Sequence, residues 1–527
     1  MFDATYQSRR VHNSFIIIGL AVVLLALSAP DVLAGGPVSP ALIQASAPSC
    51  RFGASALNPS HSPWVGPLNL GWYLNFRTWN IEGAEAIELM PVIRLKQRKD
   101  GCTRLPGFDF DPPLTEARLG AVIRSRPGAL WVIGNEPDRG PNPEDTACVN
   151  RMQDDTAPEV YARAYHDAYA FIKRIDPTAQ VATAGLVQVT PSRLQYLDIV
   201  WNTYRQVYGV DLPADAWGMH LYVLPEAYAD GRPNSIANIA IGTDPALAIR
   251  ESGNDATRCA DAKVYCYAEH DSMAEFANQV VAMRQWMKDH GQQNKPLLLT
   301  EYSLLLPDDY LDEYGNSFAP ERVAEFANRS LDYLENTADA GLGYPRDGYR
   351  LVQRWLWFSI QVEGAGMASN LVNNSLTQMT GVGQVYANHG AAALRTLNLY
   401  PKVVHGAVGL GMNGDGTRNA WLTAEVRNAG SIPTTGSFTV SFYRDAGLTN
   451  LIGSVVVPAG LSGCDGQTAL ARVVWPNLPP GEYPFWAKVD AGGEAIETEE
   501  GDNVLQGKVY VGKYGLAVPS VDPYVKR

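Results

Sequence analysis

The sequence predicts an α/β chain: a TIM-type (β/α)8 barrel, whole or reduced, followed by a small all-β sandwich. Three observations predict it. Short apolar runs alternate with amphipathic helical stretches over the middle of the chain, which implies parallel βαβ units. No Gly-rich phosphate loop follows the first of these runs, which favours a barrel over a dinucleotide-binding sheet. Near Val403 the apolar period changes to every second residue, with turn residues between the runs.

The chain has 527 residues, enough for two or three domains. Its net charge is −13, and no Lys/Arg block stands out, so nucleic acid is not an expected partner. At the N-terminus, Arg9 and Arg10 precede "FIIIGLAVVLLALSAP", and "VLA" precedes "GG". A basic start, a short apolar run and small residues at a cut site read as a secretory signal over residues 1–34, hence a secreted or cell-surface protein. A segment retained as an uncleaved anchor is the alternative. All six cysteines lie beyond it, and an even number in an oxidising compartment favours disulfides. Cys259 with Cys266 would close one short loop and Cys102 with Cys148 a second, though spacing alone leaves the connectivity open. A metal site from Cys259, Cys266 and His270 lacks the tight paired spacing of zinc sites.

Residues 35–67 are rich in Pro, Ser and Ala and read as a linker. The barrel is expected over 68–400. Its strand candidates are "LNLGWYLNF" from Leu68, "IELMPVIRL" from Ile87, "ALWVIGNE" from Ala129, "QVATAGL" from Gln180, "AWGMHLYV" from Ala216, "PLLLTEYSLL" from Pro296 and "RWLWFSI" from Arg354. That is one strand short of eight. The missing one is either cryptic, between Arg98 and Pro113, or absent from a reduced barrel. The helices "PEVYARAYHDAYAFIKRI", "SRLQYLDIVWNTYRQVYG", "SMAEFANQVVAMRQWMKDH" and "PERVAEFANRSLDYLENTA" carry apolar residues at three- and four-residue spacing. The sandwich is expected over 401–513, with a tail at 514–527.

In a barrel, reactive residues sit at the C-terminal ends of strands. Glu136 ends "LWVIGNE" and Glu301 ends "PLLLTE", three strands further on. Two carboxyl groups converging over one mouth suit glycoside hydrolysis: one protonated to donate to the leaving oxygen, one ionised to attack the anomeric carbon. No metal or other cofactor is needed.

The strings "GNEPD" and "LLLTEY" resemble the acid/base and nucleophile strands of the clan-A retaining glycoside hydrolases. The nearest resemblance is to the glycosyl-hydrolase catalytic-core, or Asl1-like, family, which includes endo-β-1,3-glucanases. "GWYLNF", "ELMPVI", "RWLWFS" and "LTQMTGVGQVYA" fall in that family's order. The resemblance implies a polysaccharide substrate, Glu136 as acid/base and Glu301 as nucleophile. It implies Asn135 on a sugar 2-hydroxyl, His220 or Tyr222 against the nucleophile or the pocket, and Trp357 as a floor for the sugar ring. Arg94 would hold the nucleophile ionised, and Tyr302 would line the substrate. Two departures leave the substrate open: "TEYS" stands where the family has Thr-Glu-Phe or Thr-Glu-Trp followed by Gly, and Leu224–Glu269 is a long insertion. The segments "VRNAGSIPTTGSFTVSFYRDAG" and "GEYPFWAKVDAGGEAIETEEGDNV" resemble the CARDB domain, an Ig-like sandwich. That resemblance implies adhesion to a cell envelope or matrix, or a stalk that spaces the barrel from a surface. Calcium on Glu499, Glu500 and Asp502 is a further reading of the same acidic run. A silent carbohydrate-binding descendant would be expected to lose one of the two carboxylates, and this chain keeps both.

Overall fold

A computed structural model describes residues 47–150, 152–409 and 411–512. The signal reading over 1–34, most of the first stretch of the expected linker, and the 514–527 tail lie outside the described residues. Among the described residues no helix is long and apolar enough to cross a membrane.

The first part of the chain runs β1 (Phe52–Ser55), β2 (Trp72–Leu74), β3 (Glu88–Leu89), β4 (Val92–Asp100), β5 (Thr103–Asp111), α1 (Ala121–Arg124), β6 (Leu130–Ile133), α2 (Pro158–Ile175), β7 (Gln180–Thr183), α3 (Pro191–Tyr208) and β8 (Trp217–Leu221). It continues through the two-residue β9 (Arg250–Glu251) and β10 (Val264–Tyr265) to α4 (Met273–Asp289), β11 (Leu297–Tyr302), α5 (Pro320–Asn336), β12 (Arg354–Trp357) and α6 (Gly381–Ala392). Parallel pairings join β3 to β2, β2 to β1, β1 to β12, β12 to β11 and β11 to β8. A second parallel series joins β4 to β6 and β6 to β7, and a single parallel bridge, Ala182 to Ala216, leads on toward β8.

Strands β1, β2, β6, β7, β8, β11 and β12 are buried on both faces, as parallel strands under helices must be. Trp72, Leu74, Met90, Val92, Leu130, Val132, Ala182, Ala216, Leu298 and Leu356 form one inner cluster. The alternate residues, among them Tyr73, Trp131, Val181, Trp217, Leu299, Trp355 and Trp357, pack outward with the helices. Helix α2 buries Tyr161, Tyr165, Ala168 and Ile172, a stripe at three- and four-residue spacing. Helices α2, α3 and α5 each have proline in the first turn, where its missing N–H is not needed.

Two expectations are corrected here. The stretch 35–67 is not linker throughout: Phe52–Ser55 is a fully buried strand between β2 and β12. Phe52 packs edge-on against Trp355, with ring centroids 5.0 Å apart. Its composition hides it, because the small residues are there for packing: a Cβ on Gly53 would lie 2.4 Å from the Trp72 ring. The strand sought between Arg98 and Pro113 does exist as β5, but it is the antiparallel half of a hairpin with β4 and is largely exposed.

The C-terminal part is a β-sandwich. β13 (Leu399–Val408), β14 (Arg418–Asn428) and β17 (Ala469–Leu478) form one antiparallel sheet. β15 (Phe438–Tyr443), β16 (Leu451–Val457), β18 (Gly481–Lys488) and β19 (Val504–Val511) form the other. Alternate residues of β14, Ala420, Leu422, Ala424 and Val426, face Val440, Phe442, Phe485 and Ala487 in one core.

The sandwich is docked rather than held off as a stalk. Its contacts fall at the N-terminal ends of the parallel strands. Cys464 is disulfide-bonded to Cys50, just before β1. Arg354, which opens β12, pairs with Glu88 of β3 and donates to the Gly463 carbonyl. Asp215, just before β8, takes Lys402 at 2.9 Å and Arg427 at 3.5 Å from the sandwich and Lys173 at 3.2 Å from α2. The other disulfides are Cys102–Cys148 and Cys259–Cys266. Three disulfides fit an extracellular protein.

Candidate active site

The chain leaves β6 through Gly134, at φ +93°, and then turns at Glu136, at φ +45°. A glutamate in the left-handed region costs on the order of 1 kcal/mol, so the turn must be held from outside. Asp154 does this: it accepts the N–H groups of Asn135 at 2.8 Å and Leu95 at 3.2 Å, and the Arg94 guanidinium at 2.6 Å. The Glu136 N–H donates to the Gly185 carbonyl at 3.0 Å. Across the site, β11 pairs with β8 so that Glu301 stands beside His220, after a register shift at Leu299.

His220 stands between the two glutamates. Its Nδ1 is 2.9 Å from Glu136 Oε1 and 4.0 Å from Glu301 Oε2. The Tyr222 hydroxyl donates to Glu301 Oε1 at 2.7 Å. One carboxylate oxygen of each glutamate and one His220 nitrogen all lie within 4.8 Å of one another. Glu136 is 5% exposed, Glu301 8% and His220 1%. In such a setting burial works against every charge. It pushes Glu301 up to about 7, helped by Glu136 and opposed by His220 and the Tyr222 hydrogen bond. Burial would raise Glu136 too, but the His220 hydrogen bond and charge outweigh it and hold Glu136 below its ordinary value. Burial would lower His220, but Glu301 and then Glu136 outweigh it and raise it.

Of the residues singled out in the sequence, Glu136, Glu301, His220 and Tyr222 are therefore brought together, with Asn135 next to Glu136 and 8% exposed. Three are not. Arg94 is bound to Asp154 and to the Met152 carbonyl at 2.6 Å, so it holds the Glu136 turn and makes no hydrogen bond to Glu301, on which it acts only through its charge, a minor cause favouring the ionised form. Tyr302 follows an inward glutamate and so points outward, fully buried, with its ring 5.1 Å from that of Trp357 and 5.8 Å from that of Phe276. Trp357 is fully buried on the same outer side among Tyr302, Phe326 and Tyr386, its indole N–H bound to the Ser369 carbonyl at 2.7 Å. Neither ring is available as a sugar floor.

Three residues escaped the sequence reading. Asp154 carries no signal of its own, being 19 residues from its Asn135 partner. Gly185, in "TAGL", leaves room for His220: a Cβ there would lie 2.2 Å from the imidazole ring. Phe358 follows Leu356 of the inner cluster by two residues and is half-buried. Strand alternation, applied to the correct face, would have selected it over Trp357.

The cluster Glu136, His220 and Glu301 has the donor types of a metal site, but His220 Nδ1 is already engaged by Glu136. Cys259 and Cys266, near Glu313, are joined to each other and so unavailable as thiolates. A third cluster lies in the sandwich at Asp490, Glu497 and Glu500.

Residues 253–386 match the family model of the glycosyl hydrolase catalytic core. The matched stretch contains Glu301 but begins after Glu136 and His220. No curated protein sequence matches the chain. Among solved structures, a GH128 subgroup I endo-β-1,3-glucanase from Amycolatopsis mediterranei, in complex with laminaritriose, is 14% identical, covering 64% of this chain and 99% of its own, with a TM-score of 0.38. A GH128 subgroup III curdlan-specific exo-β-1,3-glucanase from Blastomyces gilchristii, in complex with glucose, is 15% identical, covering 65% and 99%, with a TM-score of 0.36. A CARDB domain from Pyrococcus furiosus, in complex with di-metal ions, is 21% identical, covering 23% and 97%, with a TM-score of 0.18.

Proposed function

We propose that the chain is a secreted, retaining glycoside hydrolase that cleaves β-linked polysaccharide, with a β-glucan as the substrate. Its catalytic part reads as a (β/α)8 barrel: β3 and β4, broken only at Met90 and Pro91, count as one strand, and the parallel series then has eight members. Glu136 follows the fourth and Glu301 the seventh. The observation that carries the reading is the close pair of carboxylates, with oxygens within 4.8 Å of each other. Carboxyl groups about 5 Å apart leave no room for a water between catalyst and sugar and suit double displacement; inverting enzymes need about 6.5–9.5 Å.

In this reading Glu301 attacks the anomeric carbon while Glu136 protonates the leaving oxygen, and Glu136 then deprotonates the water that releases the sugar. Tyr222 orients the Glu301 carboxylate through its hydrogen bond. His220 spreads positive charge over both acids. Asn135, whose side chain has no hydrogen bond among the described residues, takes the sugar 2-hydroxyl, and Phe358 replaces Trp357 as the ring floor. The active form carries one proton on the carboxyl pair. In the free site that proton favours Glu301, since His220 holds Glu136 ionised. A cationic anomeric centre next to Glu301 reverses the preference by favouring its ionised form. The family-model match over 253–386 supports the reaction class.

The test is reducing-sugar release from laminarin, lichenan, cellulose, xylan and mannan, beside Glu136→Gln and Glu301→Gln. Activity on a β-glucan, lost by at least about a hundredfold in each variant, is the expected result. Anomeric analysis of the first product by NMR should show retention. No hydrolysis of any polymer, with binding kept by wild type and both variants, would instead make the protein a carbohydrate-binding module.

A further inference from the structure

Strands β8 and β11 pair side by side as far as Leu221 and Tyr302, and there the ladder stops. The Tyr222 hydroxyl meets Glu301 at this end of the ladder, so the contact depends on how the two segments run beyond it. His270 lies between those segments. Its Nδ1 is 3.0 Å from the carbonyl of Val223, the residue after Tyr222. Its Nε2 is 2.8 Å from the N–H of Leu305, which follows Glu301 in the same loop. A carbonyl only accepts and an N–H only donates, so the ring is neutral with its proton on Nδ1. Burial favours that state and pushes His270 down to about 4, opposed by the Val223 hydrogen bond and Asp271 and assisted by Arg322. His220, between two carboxylates, is raised instead.

The ring is 2% exposed and is itself held from several sides. It follows the last turn of the long insertion, Tyr267–Glu269. Glu313 accepts the N–H groups of Tyr267 and Ala268, each at 2.9 Å. Cys266, just before that turn, is joined to Cys259. Arg322 of α5 pairs with Asp271 at 2.7 Å, and the Phe318 ring stands edge-on to the imidazole, with centroids 5.7 Å apart. Leu305 packs in turn against the cluster of Tyr222 and Leu224. The insertion thus ends in a strut between two segments of the site.

We propose that His270 is a positioning residue: it ties the segment of Tyr222 to the segment of Glu301 and so fixes the hydrogen bond between them. Its effect on turnover rests on the reading of Glu301 as the nucleophile; its effect on the Glu301 carboxyl does not. Without the strut the Tyr222 hydroxyl no longer stays on Glu301, whose anion loses a donor and holds its proton to higher pH. His270→Leu leaves an apolar side chain that makes neither bond. His270→Gln keeps one donor and one acceptor in a group that does not titrate.

The Glu301 carboxyl is followed by NMR in the full chain carrying isotope-labelled glutamate, its resonance being the one missing from Glu301→Gln. Tyr222→Phe should raise its titration, and His270→Leu should move it in the same direction. The double variant should go no higher than Tyr222→Phe alone, because the two act through one bond. His270→Gln should stay near wild type. An unchanged or lowered titration in folded His270→Leu, or additive shifts in the double variant, would overturn the proposal. Where His270→Leu does not fold, wild type carrying isotope-labelled histidine decides. Its Nδ1 should hold the proton, with Nε2 bare, from about pH 5 to about pH 9; the opposite tautomer, or an ordinary histidine titration, would overturn the proposal. On the polymer that wild type hydrolyses, His270→Leu should lower kcat at least about tenfold with KM little changed, and His270→Gln should recover most of it. A wild type that hydrolyses no polymer would end the hydrolase reading alone, and the Glu301 titration would still decide the role of His270.

Discussion

The chemistry of the candidate site turns on how few protons its buried groups share. Glu136 and Glu301 are too close to titrate independently, so the pair gives up its protons in two steps that belong to both. The lower step lies below the ordinary carboxylate range, because His220 stabilises the Glu136 anion; the upper lies at about 7, because burial and Glu136 disfavour a second charge on Glu301. The singly protonated pair exists between them. The profile of kcat/KM against pH should therefore be bell-shaped, falling on the alkaline side above about 7 and on the acid side only below the usual carboxylate values. Initial rates on the substrate identified by the panel would check it; a rate still rising beyond pH 9 would contradict the shared-proton account. The acids themselves were legible in the sequence because each ends an apolar strand. Their direct partners His220 and Tyr222 were legible too, being two residues apart at the C-terminal end of one strand run, His220 within β8 and Tyr222 just past it. Asp154 was not: it reaches Asn135 and Arg94 only through the path of a loop.

At the scale of elements, period gave the pattern and packing decided the face. The strings "TEYS" and "RWLWFS" each contain alternating large residues, and alternation alone does not say which half points inward. The inner cluster holds Leu356, which turns Trp355 and Trp357 toward the helices; in β11 the inner cluster holds Leu298, and only the register shift between Leu299 and Glu301 brings Glu301 to the site and turns Tyr302 toward the helices. Strand β1 shows the converse problem. "FGAS" has no strand signal because its side chains were cut to fit the neighbouring indole. Gly53→Ala places a methyl 2.4 Å from the Trp72 ring. It should destabilise the chain by about 1–3 kcal/mol, measured by urea unfolding; an unchanged midpoint would mean that Trp72 moves freely. Helices α2 to α5 match their sequence stretches closely, because amphipathic stripes and prolines at the first turn are local signals.

Across the whole molecule, the sandwich and the catalytic part share buried charge. Asp215 is fully enclosed, and although burial would raise it, Lys402, Lys173 and Arg427 hold it well below the usual carboxylate range. Its folded pKa is thus depressed, so its contribution is present above the unfolded value near 4 and is lost only as pH falls through the folded value. Asp215→Asn leaves Arg427 and Lys173 without their anion and takes from Lys402, already lowered to about 7 by burial and Arg427, the carboxylate that favours its charge; it should cost about 3–5 kcal/mol. Denaturant unfolding at neutral pH would read this; a loss under about 1 kcal/mol would show that the ion cluster does not hold the two parts together. Because Asp215 lies at the strand ends opposite Glu136 and Glu301, kcat of the folded variant should be unchanged.

The amino-acid sequence by itself determined the order of strands and helices, the change of period near Val403, and the two carboxylates at strand ends, since all of these are local patterns of apolar spacing. Only the tertiary structure decided that Phe52–Ser55 is a core strand, that Trp357 and Tyr302 face away from the site, that Arg94 holds Asp154, and that the sandwich is fastened at Cys464 and Asp215. Each of these depends on a partner far along the chain, 414 residues away for Cys50 and Cys464. Close packing, hydrogen bonding and charge pairing across such distances leave no periodic trace in the residues that take part.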